Sequence, residues 1–196
     1  MAITTEQIKQ LRDKTGISVM QCKKALEEAM GDEAKALVIL QKKSGEIASK
    51  KADRTLGAGA VNAYIHPDRT VGSMVLLSCE TDFVAKNEEF VSLAYDIAMH
   101  VAAINPEFLK PEDVPEEVRG KAKEIFAKEV EAMDKPAAVK EKALEGKLST
   151  YFGERILLKQ PFVKDDSITV EKLIEKATQK FGEKIEISRF ERFSTR

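Results

Sequence analysis

The sequence has no tryptophan, and it holds only three tyrosines, two cysteines and two histidines in 196 residues. Scarce aromatic side chains leave little that could stack on nucleic-acid bases. The formal net charge of −1 provides no overall positive field that would attract a phosphate backbone. We therefore expect no direct binding to nucleic acid.

Long hydrophobic runs are missing too. No run approaches the roughly 18 apolar residues that a membrane-spanning helix needs, and the first residues lack the basic and apolar regions of a signal peptide. Cys22 and Cys79 both lie among apolar residues, so we predict that they are small core residues of a protein in a reducing compartment. The expected location is the cytoplasm, away from membranes.

The motifs that carry enzyme chemistry are absent as well. The sequence contains no phosphate-binding P-loop, no dinucleotide-binding GxGxxG after a strand, and no GxSxG, CxxC, HExxH or EF-hand pattern. His66 and His100 lie far apart in sequence, and the scatter of these two residues and the two cysteines argues against a metal site. We expect no catalytic residues, no metal and no cofactor, although no single pair among the 33 carboxylates can be singled out or dismissed.

Residues 1–54 carry three helical patterns that are separated by glycine turns. Gly16 ends the first pattern and Gly31 the second, and Ser18 and Asp32 are suited to cap the helices that follow. Three short helices with tight turns are typical of a ubiquitin-associated (UBA)-like module, which buries little and binds through loops and helix ends.

The lysine-rich segment 42–54 closes this module. Its apolar periodicity is weak, so we interpret it as a solvated linker or a helix extension. The alternative is a basic contact with a protein partner or with RNA.

Residues 55–196 predict an α+β core with a small antiparallel sheet packed on helices. Segments 60–66 and 71–79 read as a hairpin, with the unbroken second segment central in its sheet. The remaining patterns predict helices at 88–104, 115–133, 137–152 and 169–181, an extended stretch at 160–163, and a strand at 184–193 whose alternation slips after Ser188.

A short polar loop, Thr81 to Val84, connects the second predicted strand to the helix at 88–104. Loops on a rigid scaffold often carry function. An aromatic side chain near the start of a helix usually tucks under that helix, so physical reasoning alone predicts that Phe83 is buried. Its polar neighbours, among them Asp82, argue only weakly for exposure.

His100 flanks the apolar face of the helix at 88–104. One interpretation is a boundary histidine that is hydrogen-bonded to a backbone carbonyl. The other is a contact with a partner protein, for which the edge of a packed helix is suited.

Four stretches, taken together, carry a resemblance to a known family. They are LRDKTG with MQCKKAL in residues 11–26, CETDFVAKN in 79–87, IAMHVAA in 97–103 and QPFVK in 160–164. In this order, over essentially the whole chain, they resemble the bacterial elongation factor Ts family, the nucleotide-exchange factors of elongation factor Tu.

The resemblance implies a function and a set of partner contacts. The chain would bind elongation factor Tu carrying GDP, speed GDP release and leave an empty site for GTP. The loop of Thr81, Asp82, Phe83 and Val84 would lie against the GTPase domain, where Asp82 and Phe83 disturb the magnesium site. Supporting contacts would come from Arg12, Met20 and Val19, the last at a position where the family often has methionine. His100 would support contacts that shift the phosphate loop.

The chain corresponds to the short type of this family, since longer members carry a duplicated core subdomain. A single hairpin-and-helix unit leaves sheet edges open, and we expect a symmetric homodimer that pairs the two sheets. Residues 189–193 contain no cysteine, so this dimer would be non-covalent. Two other function classes remain: a nucleic-acid-binding module that uses residues 42–54, and a small hydrolase or transferase with an unrecognised site.

Overall fold

A computed structural model describes residues 3–195 of the chain. The helices are α1 (Thr5–Thr15), α2 (Val19–Glu28), α3 (Glu33–Lys50), α4 (Asp82–Ala85), α5 (Glu88–Ile104), α6 (Glu116–Glu131), α7 (Ala137–Gly153) and α8 (Val170–Phe181). The strands are β1 (Ala58–Ile65), β2 (Val71–Cys79), β3 (Pro161–Phe162), β4 (Asp165–Thr169) and β5 (Ile185–Ser194). Single 3-10 turns occupy Pro111–Asp113 and Leu157–Lys159. The α+β class is confirmed.

Strands β1, β2 and β5 form one sheet with β2 in the middle, as predicted. The β1–β2 hairpin closes where the N–H of His66 donates to the carbonyl of Val71, 2.9 Å away. Val75, Leu77 and Cys79 alternate along β2 and are all fully buried. On the opposite face Leu76 is partly buried and Ser78 is buried. A strand that is covered on both faces reads as a nearly continuous apolar run, which explains why its central position was predictable.

Strand β5 changes face part-way along its length. Ile185 and Ile187 are buried, whereas further on Phe190 and Arg192 are the partly buried side chains and Glu191 between them is exposed. Successive inward positions along β5 are therefore two, three and two positions apart. The predicted slip in alternation is confirmed.

The chain divides into two compact units, which are described separately. The first consists of Met1–Asn62, Leu76–Ala94 and Lys172–Ser188, and the second of Ala63–Val75, Tyr95–Glu171 and Arg189–Arg196. The division predicted from composition, into residues 1–54 and 55–196, stays a prediction.

In the first unit, α1, α2 and α3 enclose a small apolar core. Its buried members are Leu11, Ile17, Cys22, Ala25, Leu26, Ala29, Ala36 and Leu40. Thr4 and Gln7 form a capping box at α1, and Ser18 and Asp32 cap α2 and α3 through their side chains. Gly16 ends α1 at φ 68°, a conformation that favours glycine. The three helices are as predicted, and their likeness to a UBA module stays a prediction.

Helix α3 continues through Lys50, so most of the lysine-rich segment is a helix extension. The backbone of this segment is therefore mostly helical, as the interpretation of a helix extension predicted. The chain then turns through Arg54 before β1 begins.

In the second unit, α6 and α7 pack against each other. The rings of Phe126 and Tyr151 meet edge to face at 5.5 Å, and Lys147 pairs with Glu129 at 2.7 Å. Strands β3 and β4 form a separate two-stranded antiparallel sheet. Strand β4 was not predicted, because its polar sequence, DDSIT, has only one buried side chain and lacks an apolar alternation.

Gly59 on β1 lies so close to β2 that a larger residue does not fit. A Cβ atom at this position would stand 2.6 Å from the carbonyl oxygen of Leu77, a backbone atom that cannot move aside without shifting the strand. We expect Gly59→Ala to lower the free energy of unfolding by about 1–3 kcal/mol.

Gly146 provides the matched control, since nothing lies within 4 Å of a Cβ at this position in α7. Gly146→Ala should raise stability by about 0.5–1 kcal/mol, because alanine is the better helix former. Urea titration of both variants and the native chain measures the two effects. A Gly59→Ala variant as stable as the native chain would contradict this account of the close approach.

Candidate partner-binding site

The turn from Thr81 to Val84 follows β2 after one residue, and Asp82–Ala85 winds into the single-turn helix α4. Phe83 is 85% exposed on this turn. The expectation from physical reasoning, that Phe83 tucks under the following helix, is wrong. Cys79 and the partly buried Val84 take the inward positions, so the short turn directs Phe83 into solvent. The exposure that the resemblance implied is confirmed, whereas the role of the ring stays a prediction.

Asp82 lies beside this ring and is exposed as well. Its carboxylate pairs with the ammonium of Lys86 at 2.7 Å across one helical turn. The hydrogen bond and charge of Lys86 hold the pKa of Asp82 below its ordinary value, so the side chain is ionised at neutral pH. The turn therefore presents an aromatic ring next to a negative charge.

Two glutamates that sequence reasoning missed fasten the base of the turn. Glu183 accepts hydrogen bonds from both the N–H and the hydroxyl of Thr81, at 3.0 and 2.6 Å. Glu80 accepts from the N–H of Lys184 at 2.6 Å and from Arg54 at 3.1 Å. Thr81 and Glu183 are 102 residues apart in sequence, so no local pattern could have indicated this contact.

Arg12, Val19 and Met20 lie on both sides of the Gly16 turn. Arg12 is in the last turn of α1, and Val19 and Met20 are the first two residues of α2. All three are exposed, Met20 to 62%. Within residues 3–195, no ion pair engages Arg12. These side chains are free to make contacts from one end of the three-helix module, and their part in binding stays a prediction.

His100, in the second unit, has no exposed surface. Its Nδ1 accepts the N–H of Val163 at 3.1 Å and therefore carries no proton. Its Nε2–H consequently donates to the side-chain oxygen of Gln160, 2.9 Å away. The interpretation of a boundary histidine bonded to a backbone carbonyl is wrong. A direct partner contact is not available to this buried ring either, so any support it gives is exerted through the segment that contains Gln160 and Val163.

Three of the five cations in the lysine-rich segment have contacts within the chain. Lys43 pairs with Glu28 at 2.5 Å, and Lys51 donates to the carbonyl of Gly182 at 2.7 Å. Arg54 is held by Glu80. The pairing of Lys43 and Arg54 with carboxylates lowers the positive charge that this segment offers to RNA.

The described residues were compared with what a membrane-spanning helix and a metal site require. Across residues 3–195, no helix is both long and apolar enough to cross a membrane. The same residues contain no group of three or more histidine, cysteine, aspartate or glutamate side chains that could hold a metal ion.

Comparison with known proteins matches residues 3–196 to the family described as elongation factor TS. The chain belongs to the elongation factor Ts family. It is 49% identical to elongation factor Ts of Thermodesulfovibrio yellowstonii over 98% of its own length and 96% of that protein. It is 47% identical to elongation factor Ts of Thermosipho melanesiensis, over 98% of each chain. Elongation factor Ts of Carboxydothermus hydrogenoformans is 49% identical over 97% of this chain and 88% of that protein.

Membership assigns the chain a role in translation elongation and hence in protein biosynthesis. The TDFV turn, with its exposed ring, and the exposed end of the N-terminal helices are the two features of the first unit that the elongation factor Ts resemblance singled out.

The buried imidazole of His100 should make stability depend on pH. Burial lowers the pKa of His100, and this effect is larger than the opposite effect of its hydrogen bond to Gln160. Below the ordinary histidine pKa, the unfolded chain therefore binds a proton that the folded chain does not. The contribution of His100 is complete above about pH 6.5 and is lost below it, with a slope of at most about 1.4 kcal/mol per pH unit.

Urea unfolding between pH 7.5 and 5 measures this slope. His100→Asn retains an acceptor near the N–H of Val163 but cannot titrate, so the slope should become shallower in this variant. Equal slopes in the native chain and in His100→Asn would contradict the assignment to His100.

Proposed function

We propose that the chain binds elongation factor Tu, in its GDP-bound and nucleotide-free forms, and promotes the exchange of GDP for GTP. The observation that carries this proposal is the exposed Phe83 beside the ionised Asp82, on a single-turn helix that is fastened at its base. In this proposal Thr81, Asp82, Phe83 and Val84 form the segment that displaces magnesium and loosens the phosphate site. The chain acts in the cytoplasm as a binding partner and not as an enzyme, and it uses no cofactor.

The physics of such exchange is straightforward. A bound diphosphate is held by magnesium and by backbone amides at a helix N-terminus, so displacing either weakens the hold. A ring and a carboxylate are suited to this task, because the ring occupies apolar space while the charge competes with phosphate oxygens. By linkage, the free energy that the factor removes from GDP binding is also removed by GDP from binding of the factor.

Phe83 alone supplies only part of this free energy. Burying one phenylalanine side chain contributes about 2–3 kcal/mol, or roughly 30–150-fold in affinity. A second, separate contact is therefore needed. The exposed Arg12, Val19 and Met20 at one end of the UBA-like module provide it, and His100 supports the core from inside.

Truncating the ring tests the proposal directly. We expect Phe83→Ala to reduce the rate of labelled-GDP release from elongation factor Tu by roughly 30–150-fold, while binding to nucleotide-free elongation factor Tu persists at a lower affinity. Stopped-flow fluorescence measures the release and titration measures the affinity.

Ile125→Ala serves as the control, because Ile125 is also an exposed apolar side chain but lies on α6. Its exchange rate should be native. If the native chain leaves GDP release unchanged, the proposed function is wrong.

We also propose that two copies of the chain form a symmetric homodimer through their sheets. In the second unit, Ala63, Ile65, Met74 and Phe193 line one open depression, and Phe193 is 71% exposed. An exposed apolar sheet face of this kind is suited to cover an identical face, since a two-fold axis makes the patch its own complement. Strands β1 and β5 also present the open edges of the sheet.

Introducing a charge on this face should separate the copies. We expect the native chain at micromolar concentration to scatter light with twice the mass of a single chain, and Phe193→Glu to give the mass of one chain. Val139→Glu places the same charge at an exposed apolar position on α7 and should remain dimeric. A monomeric native chain would refute the proposed dimer.

A further inference from the structure

Thr81 is held in an unusual way for a residue that begins a helix. Its backbone is extended, as at a helix N-cap, where a threonine hydroxyl normally accepts a hydrogen bond from the first turn. No such bond forms in α4. The hydroxyl and the N–H of Thr81 instead donate to the two carboxylate oxygens of Glu183. The start of α4 is therefore held from outside the helix.

A second carboxylate makes the reciprocal contact. Glu80, next to Thr81, accepts from the N–H of Lys184, next to Glu183. The pKa of Glu80 is lowered first by this N–H and further by Arg54. Each of two neighbouring segments thus offers one carboxylate to the backbone of the other. Hydrogen bonds to ionised acceptors are shorter and stronger than neutral ones, so this exchange fixes the end of β2 against the start of β5.

Glu183 itself projects from a constrained turn. Gly182 ends α8 with φ 73°, and its N–H donates to the carbonyl of Thr178. Its own carbonyl accepts the ammonium of Lys51 at 2.7 Å. These contacts constrain the backbone from which the Glu183 carboxylate reaches Thr81.

We propose that Glu183 is a positioning residue for nucleotide exchange. Acting through Thr81, its carboxylate sets the direction in which Asp82 and Phe83 are presented to elongation factor Tu. This inference rests on the proposed exchange activity and adds a residue that belongs to neither of the surfaces assigned above. Without this carboxylate, the ring stays exposed but its direction is no longer defined.

The first test needs no partner protein. Because the native chain has no tryptophan, Phe83→Trp introduces a single tryptophan on the turn, which can be excited separately from the three tyrosines. Time-resolved anisotropy then reports how freely that side chain and its turn move. Adding Glu183→Gln should increase the amplitude of fast local motion, since a glutamine amide can hold Thr81 only through neutral hydrogen bonds, which are weaker than those to a carboxylate. Adding Glu124→Gln, which removes a glutamate paired with Lys128 on α6, should change nothing.

The second test measures exchange in chains that retain Phe83. At saturating factor, Glu183→Gln should lower the rate of GDP release about tenfold. The factor concentration that gives half-maximal rate should change by less than about threefold, because Arg12, Val19 and Met20 are untouched. Glu124→Gln should behave as the native chain in both measurements.

Substitutions of Thr81 separate positioning from folding. Thr81→Ser retains both donors and should exchange at a near-native rate, whereas Thr81→Val loses the hydroxyl and should be slower. Combining Thr81→Val with Glu183→Gln should slow exchange less than the product of the two single effects, as expected for one shared contact. If Glu183→Gln melts well below the native chain, Thr81→Val carries the test, because the backbone contact remains.

The outcomes distinguish the positioning role of Glu183 from the proposed exchange activity on which it rests. A native chain that fails to speed GDP release overturns both. A native chain that is active, with Glu183→Gln and Thr81→Val equally active, overturns the positioning role alone. Loss of rate that merely parallels loss of folded protein, with native anisotropy on the turn, also counts against it.

Discussion

Pairing of β2 on both of its edges is the constraint on which the candidate site depends. β1 lies on one side and β5 on the other, and Val75, Leu77 and Cys79 are buried beneath the strand. Central, buried strands are among the last parts of a fold to open. The Thr81–Val84 turn begins one residue beyond such a strand, so a small, exposed group is mounted at the end of a firmly held segment. An exposed ring is thus compatible with a defined position.

Features that depend on neighbours in sequence were predictable. Glycine turns and side-chain caps marked the three N-terminal helices, because the left-handed backbone of Gly16 and the free N–H groups at helix starts impose local requirements. The unbroken apolar run of β2 indicated a central strand. The slip in β5 was visible too, since side-chain alternation is a local property of the strand.

Features that depend on distant residues were not predictable by physical reasoning. Nothing near Thr81 indicates that Glu183 will hold it, and nothing near His100 indicates that the N–H of Val163 will fill its Nδ1. The burial of Phe83 was predicted wrongly because a general preference for covered aromatics took no account of how short α4 is. Only the pattern of motifs shared with the elongation factor Ts family corrected that expectation. Strand β4 was missed because its polar side chains conceal the period of a strand.

The exposure of Phe83 has a further consequence for the free protein. A solvent-exposed aromatic ring is a potential point of aggregation, and proteins commonly surround such segments with charged gatekeeper residues. Here Asp82 and Lys86 flank the ring within one turn, and Glu88 and Glu89 follow directly. The nearby charges keep water close to the ring and disfavour its burial against another copy. The same short segment therefore combines an exposed aromatic ring with charged neighbours that oppose aggregation of the free protein.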